Sequence, residues 1–281
     1  MCKHLYLLPL VAVLSVFIAS CGGRKPIVDV EDLYRRDSLE SAQDTLQLLE
    51  DEEEPPVAVD GLFDDFFFTF VTNQGFQMQR ISFPLPCTNG TRARTVNKED
   101  WEKYNKFIFQ EHFMVVFEDD DDIDVKNDTA VSRVSVEWID LQEDSADVYT
   151  FRKEETMWML STINQTKVEE LPNGEFLRFF RHFVCDSVFQ VRSIDNPLKV
   201  ITSEDTEEEQ MVKTKHDASD WRYLKEDYPL PKGVLMNIDY GQPSSGVRLK
   251  QVLLQSMNDN MFFKFKFHKY RQDWKLIEIE N

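Results

Sequence analysis

Phe67-Phe68-Thr69-Phe70-Val71-Thr72-Asn73-Gln74-Gly75-Phe76-Gln77 returns 113 residues later as Phe180-Arg181-His182-Phe183-Val184-Cys185-Asp186-Ser187-Val188-Phe189-Gln190, and the same offset carries Ile81, Pro84 and Leu85 onto Ile194, Pro197 and Leu198. A second block, Tyr149, Phe151, Lys153, Trp158, Leu160 and Ile163, falls on Phe265, Phe267, Lys269, Trp274, Leu276 and Ile279 at an offset of 116. Between them Asp100-Trp101 pairs with Asp220-Trp221, and Val131 and Val136 pair with Val247 and Val252. Blocks that keep order and spacing mark an internal repeat. The sequence therefore predicts a first unit over 61–164, a linker over 165–172 and a second unit over 173–281, each of ordinary domain size.

Within each unit the pattern predicts an α+β fold. Gly61 to Thr72 is apolar with Asp64 and Asp65 near its start, which suits a helix whose first turn favours acids. Its counterpart is Glu175 to Asp186, with Asn173 as the cap. Stretches rich in β-branched and aromatic residues follow: Phe113 to Phe117, Val131 to Leu141, Ala146 to Arg152 and Met157 to Ile163. The second unit repeats the last three as Val247 to Leu254, Met261 to His268 and Trp274 to Ile279. Strict alternation, as in Phe263-Lys264-Phe265-Lys266-Phe267, describes a strand with Phe to the core and Lys to water. Each unit is expected to hold one or two helices followed by an antiparallel meander of three or four strands.

The Phe-rich helix, Phe76-Gln77 with Arg80-Ile81, Phe83-Pro84-Leu85 and the closing Trp158-x-Leu160 together resemble an uncharacterised family of Bacteroidetes lipoproteins, a domain of unknown function. The second unit departs from that pattern: Arg192 sits one place earlier than Arg80, and Asn196 replaces Phe83. The family is similar in fold to the nuclear-transport-factor-2-like superfamily, so the resemblance implies two tandem cones, each a curved sheet wrapped against helices around a pocket. Related cones hold isomerases and dehydratases with an Asp or His base and a Tyr donor in an apolar pocket, where burial tunes the pKa. Under that resemblance the catalytic candidates are Tyr149, His182 and Asp186. The family carries no known active site to transfer.

At the N-terminus Lys3 and His4 precede an apolar run, Leu5 to Ile18, too short for the roughly 18–20 residues of a permanent membrane helix. Ile18-Ala19-Ser20-Cys21 resembles the lipobox of bacterial lipoproteins, so 1–20 is expected to be a signal peptide and Cys21 the lipidated N-terminal residue, carrying the palmitate-type chains that anchor stably. Gly22 at the next position resembles the signal for sorting onward to an outer membrane, facing the periplasm. Residues 21–60 are expected to be an acidic tether, with Glu50 to Glu54 followed by Pro55-Pro56 and few aliphatics to bury. Asp37-Ser38-Leu39 and Asp44-Thr45-Leu46 within it resemble the envelope O-glycosylation acceptor of Bacteroidetes.

The net charge is −19, and removing the leader takes Lys3 but no acid. Such a chain repels nucleic acid and anionic lipid, so neither is expected as a partner beyond the lipid anchor itself. With the leader removed and Cys21 lipidated, Cys87 and Cys185 remain, either as one disulfide or as two independently buried thiols. His112, His182, His216 and His268 show no ligand spacing, and no cofactor is implied. Asp119 to Asp122 with Asp124 is the one acidic run dense enough to suggest a hard cation, with Asp120, Asp122 and Asp124 as ligands, but it lacks the glycine and closing glutamate of an EF-hand. A solvated loop between strands is the preferred reading of it, as of Glu204, Asp205 and Glu207 to Glu209. The functional expectation is a non-catalytic module binding a small apolar ligand or an envelope protein. The alternatives are an isomerase- or hydrolase-type enzyme using a cone pocket, and a structural part of the envelope.

Overall fold

The computed structural model describes residues 57–281 except 108–111, 204–210, 229, 232, 245, 247 and 258–260. The leader, Cys21, nearly all of the tether, Val247 and the acidic run at 204–209 therefore lie outside the described residues. From Pro55 onward the chain is one compact unit. Its helices are α1 (Phe63–Thr72), α2 (Gln74–Gln79), α3 (Gly174–Cys185), α4 (Ser187–Arg192) and α5 (Trp221–Leu224). Its strands are β1 (Leu85–Asn89), β2 (Arg92–Val96), β3 (His112–Phe117), β4 (Arg133–Asp140), β5 (Ala146–Glu154) and β6 (Met157–Thr166), then β7 (Ile194–Ser203), β8 (Met211–His216), β9 (Val234–Asp239), β10 (Leu249–Ser256), β11 (Phe262–Tyr270) and β12 (Asp273–Glu280).

All twelve strands form a single sheet, in the order β2-β1-β6-β5-β4-β9-β3-β10-β11-β12-β7-β8. Read from either end, each strand faces the one six places along the chain. The expectation of a separate sheet in each unit is corrected by the middle of this order. Strand β3 leaves the first stretch to pair antiparallel with β10, placing Val116 opposite Val252, while β9 pairs with β4, placing Ile238 opposite Val136. The two exchanged strands meet in parallel at Met114 and Asn237.

Alternation along β3 shows where the helices sit. Met114 and Val116 enter a core with Phe176, Phe180 and Phe183 of α3, whereas Phe113, Val115 and Phe117 enter one with Phe63, Phe66, Phe67 and Phe70 of α1. Successive side chains of a strand point to opposite faces, so the two helical layers cover opposite faces of the sheet. That is why β3 is buried along five consecutive residues rather than every second one.

Helix α1 forms because its phenylalanines recur at i, i+3, i+4 and i+7, one stripe of a 3.6-residue period. It stops at Asn73, whose side chain turns to cap α2 by accepting from Phe76 N at 2.9 Å. Asp186 does the same for α4, accepting from the amides of Val188 at 2.8 Å and Phe189 at 3.0 Å. Helix α3 starts where a 3-10 turn, Val168–Glu170, crosses its first residue so closely that a Cβ on Gly174 would lie 2.5 Å from Val168 O. Asn173 occupies the cap position of α3, but its side chain makes no cap bond.

The repeated residues make repeated contacts. The Phe63 ring lies 5.1 Å from Trp158 at 77° and 5.4 Å from Phe151 at 65°. The Phe176 ring lies 5.1 Å from Trp274 at 73° and 5.4 Å from Phe267 at 64°. Gln77 Oε1 accepts from the buried Trp101 indole at 2.8 Å, and Gln190 Oε1 from that of Trp221 at 3.0 Å. The β5–β6 and β11–β12 hairpins each turn through a left-handed residue, Glu155 at φ 58° and Arg271 at φ 57°. The outermost strands carry Arg92 and Arg94 on β2 and Lys213 and Lys215 on β8, charges that discourage edge-to-edge pairing. Among the described residues no helix is long and apolar enough to cross a membrane.

Candidate functional site

The interior of each helix–sheet layer is filled with rings. In the first, Phe70 packs edge-on against Phe151 at 5.2 Å and against Phe107 at 5.7 Å, and Phe107 against Tyr149 at 4.7 Å. In the second, Phe183 meets Phe267 at 5.5 Å and Trp221 at 6.1 Å. Tyr149 belongs to this filling: its hydroxyl donates to Tyr104 O at 2.8 Å, and burial pushes its pKa up. Asp186 is the exposed cap of α4, and the Phe189 and Val188 amides hold its carboxyl below its ordinary range. His182 is exposed on the outer face of α3, its ring 4.6 Å from Phe189. The structure thus brings His182 and Asp186 to one end of α3 and leaves Tyr149 in the other core.

The remaining sequence candidates have local duties. Cys87 is buried in β1 within the first core and Cys185 is exposed at the end of α3; both are free thiols, which corrects the disulfide alternative and, for Cys185, the expected burial. Asp120–Asn127 is a 3-10 turn rather than an open loop: Asp119 caps it, and Asp122 returns to accept from Asp119 N at 2.9 Å. Asp120 bonds Lys264 at 3.2 Å. Burial opposes its ionisation, but the bond and charge of Lys264 outweigh that and keep the carboxyl low. Asp124 lies exposed on the same turn. Among the described residues no group of acids, His or Cys is arranged to hold a metal ion.

Polar side chains that sequence reasoning missed cluster on the exchanged strands. Lys250 of β10 is buried against Glu118, just past β3, at 2.6 Å and bonds Asn173 Oδ1 at 2.7 Å. Ser244 donates to the same oxygen at 2.9 Å. At the matching corner of the first half Tyr240, just past β9, bonds Asp64 of α1. Burial raises the pKa of both groups, so the bond retains its proton. In the sheet centre Asn237 Nδ2 donates to Glu137 Oε2 at 2.7 Å. Burial pushes Glu137 up to about 8, against the opposing effect of that bond, which makes a neutral carboxyl the prevailing form at pH 7. These groups tie each helix start and each exchanged strand in register.

Among the described residues, two of the clefts open outside the filled layers. One, of about 800 Å³, lies between the outer face of α3, α4 and the β11–β12 hairpin, and gathers Arg178, Arg181, His182, Arg192 and Lys275. Phe179 and Phe189, their rings 5.7 Å apart, and Trp274 give it an apolar wall. Glu175 and Asp273 share the lining, and Glu175 is paired with Lys269. The other cleft, about 580 Å³, is lined by Asp140, Glu143, Asp144, Asp147 and Glu170 beside Lys106 and Lys167. Arg181 links the two, bonding Glu143 O across the β4–β5 turn. A basic and an acidic cleft therefore lie on either side of that turn.

The chain is similar to an NTF2-like protein from Bacteroides fragilis NCTC 9343, known from a crystal structure at 2.15 Å resolution. The two are 32% identical with a TM-score of 0.71, over 80% of this chain and 97% of that one. No curated protein matches the sequence. The single curved sheet with few helices is thus an NTF2-like arrangement. The family model described as Domain of unknown function (DUF4348) matches residues 42–281, and the chain belongs to that family.

Proposed function

We propose that the protein is an envelope lipoprotein, anchored through Cys21, whose two tandem α+β halves form a non-catalytic binding module. The observation that carries this reading is the ring-filled interior of both layers, in which Tyr149 is spent on Tyr104 O, while Asp186, outside them, is spent on capping α4. Binding is then left to outer surfaces, where the basic cleft offers a concave site of ligand size. The matched ring contacts, Gln–Trp bonds and hairpin turns support descent of the two halves from one unit. The lipobox-like Ile18-Ala19-Ser20-Cys21 and the acidic stretch before residue 60 support a tethered module facing the periplasm from the outer membrane, and a relative from Bacteroides accords with a two-membrane envelope.

The test is affinity purification of the native protein from its own membranes, with mass spectrometry of bound proteins and extracted small molecules, beside a Cys21→Ser variant. The expected result is a reproducible stoichiometric partner or ligand, and transfer of the variant from the membrane to the soluble fraction. Neither partner nor ligand, with the variant still in the membrane, would contradict the proposal.

A further inference from the structure

The outer face of α3 differs in kind from that of α1, although their inner faces match. Where α1 carries Asp65 and Thr69 and α2 ends on Gln79, the positions 113 residues on carry Arg178, His182 and Arg192. Met159 of β6 becomes Lys275 of β12. The first half keeps the same ring packing without these cations, so packing does not require them. In a chain of 51 acidic and 32 basic residues their concentration around one cleft runs against the general composition.

The first half also shows what occupies the corresponding place. Arg80 lies over the Phe76 ring at 4.7 Å and holds Asp60 by two hydrogen bonds, at 2.9 and 3.1 Å. Asp60 Oδ1 in turn accepts from the backbone amide of Trp158 at 2.8 Å. A carboxylate of the chain itself is thus seated between a guanidinium and the tryptophan amide. The counterparts of Phe76, Arg80 and Trp158 are Phe189, Ser193 and Trp274, all in the lining of the basic cleft. The counterpart of Asp60 is Asn173, whose oxygen is taken by Lys250 and Ser244. Among the described residues no carboxylate bonds the Trp274 amide, and the arginine stands one residue earlier, at 192.

We propose that this seat receives the carboxylate of a small organic ligand, with Arg192 and Lys275 as its cations and Trp274, Phe179 and Phe189 against its ring-shaped or apolar body. Among the described residues the Arg192 guanidinium makes no ion pair, which leaves its fork open to a bidentate carboxylate. Lys275 Nζ donates to the Arg192 carbonyl, a bond that positions the ammonium and leaves its other donors free. Arg178, 3.3 Å from Glu169, and Arg181, bonded to Glu143 O, are held from behind and add positive field. The volume of about 800 Å³ fits a small molecule.

This inference rests on the binding-module reading, and its test separates the two. The full chain is titrated calorimetrically with 1-naphthoate, with acetate and with the neutral 1-naphthylmethanol. The expected result is saturable one-to-one binding of naphthoate, about tenfold or more tighter than either fragment of its chemistry. A double variant, Arg192→Gln with Lys275→Gln, both outside the core, should weaken naphthoate at least about tenfold, while Arg92→Gln on the distant edge strand should not. Absence of saturation, equal binding of the alcohol, or an unaffected double variant overturns the cleft assignment. If a native partner is still captured from membranes in that case, only the cleft assignment falls; chemical turnover of the naphthoate would overturn the non-catalytic reading instead.

Discussion

Helices α1 and α3 are the same helix on the inside and different helices on the outside. Their inner stripes meet Phe151 and Phe267, Trp158 and Trp274 at ring separations that agree within a few tenths of an ångström. Their outer faces share almost nothing: Asp65, Phe68 and Thr69 on one, Arg178, Arg181 and His182 on the other. Packing constrains the first set, because a ring removed from a close-packed interior leaves a cavity. No such constraint acts on the second. Repetition in this chain therefore marks the scaffold, and departure from repetition marks the surface where the two halves do different work.

The largest effect should come from separating the halves. A chain of residues 57–164 loses β9, which covers β4, and leaves β3 without β10, so it is expected to show no cooperative fold by circular dichroism. Mixing it with residues 165–281 should restore the native spectrum; a stably folded monomer of either piece would break the equivalence by exchange. Next, Phe70→Ala and Phe183→Ala should each cost about 3–5 kcal/mol in urea unfolding, and nearly equally, since three ring contacts of each match and they differ in one, Phe107 against Phe70 and Trp221 against Phe183. Smaller again are Gln77→Leu and Gln190→Leu, at about 1–3 kcal/mol for the indole donor each leaves unpaired. Gln77 should be the costlier of the two, because it also accepts from Asn105 at 2.8 Å and donates to Phe70 O at 3.0 Å.

The last effect is electrostatic, spread over several pH units, and rests on a carboxyl that the second half does not repeat. Glu137 is raised by burial from 4.5 to about 8, while its counterpart 116 residues on is Leu253. Between those values the folded state keeps a proton that the unfolded state has released, so stability falls as pH rises through the window. The slope from one such group approaches about 1.4 kcal/mol per pH unit. Glu137→Gln, which keeps an acceptor for Asn237, should flatten the decline measured by urea midpoints between pH 5 and 8. Asp64 and Asp239 are also raised by burial and leave a residual slope of the same sign.

The helices and the closing strands were legible because their periods are clean: phenylalanines at helical spacing, and Phe-Lys alternation along Phe263 to Phe267. Strand β9 was not, for a physical reason. Buried on both faces, Val234–Asp239 shows no alternation and carries a polar Asn237 that belongs to Glu137. Missing β9 hid the exchange, and with it the single sheet. The edge strands were obscured by the charges that protect them, Arg92 and Arg94, Lys213 and Lys215. The basic cleft was hidden by distance, since Arg178 to Arg192 and Lys275 lie far apart in sequence and only the fold joins them. A signal for it did exist, in the pairs Asp65/Arg178, Thr69/His182, Gln79/Arg192 and Met159/Lys275. Asp186 misled because a capping aspartate and a catalytic one look alike before the backbone is known.

The two halves share one sheet through β3 and β9, and scanning calorimetry of residues 57–281 tests that most directly. One sheet with exchanged strands predicts a single transition whose calorimetric and van't Hoff enthalpies agree. Two resolved transitions, one lost when Phe70 is replaced by alanine and the other when Phe183 is, would show that the halves fold independently and would contradict the account.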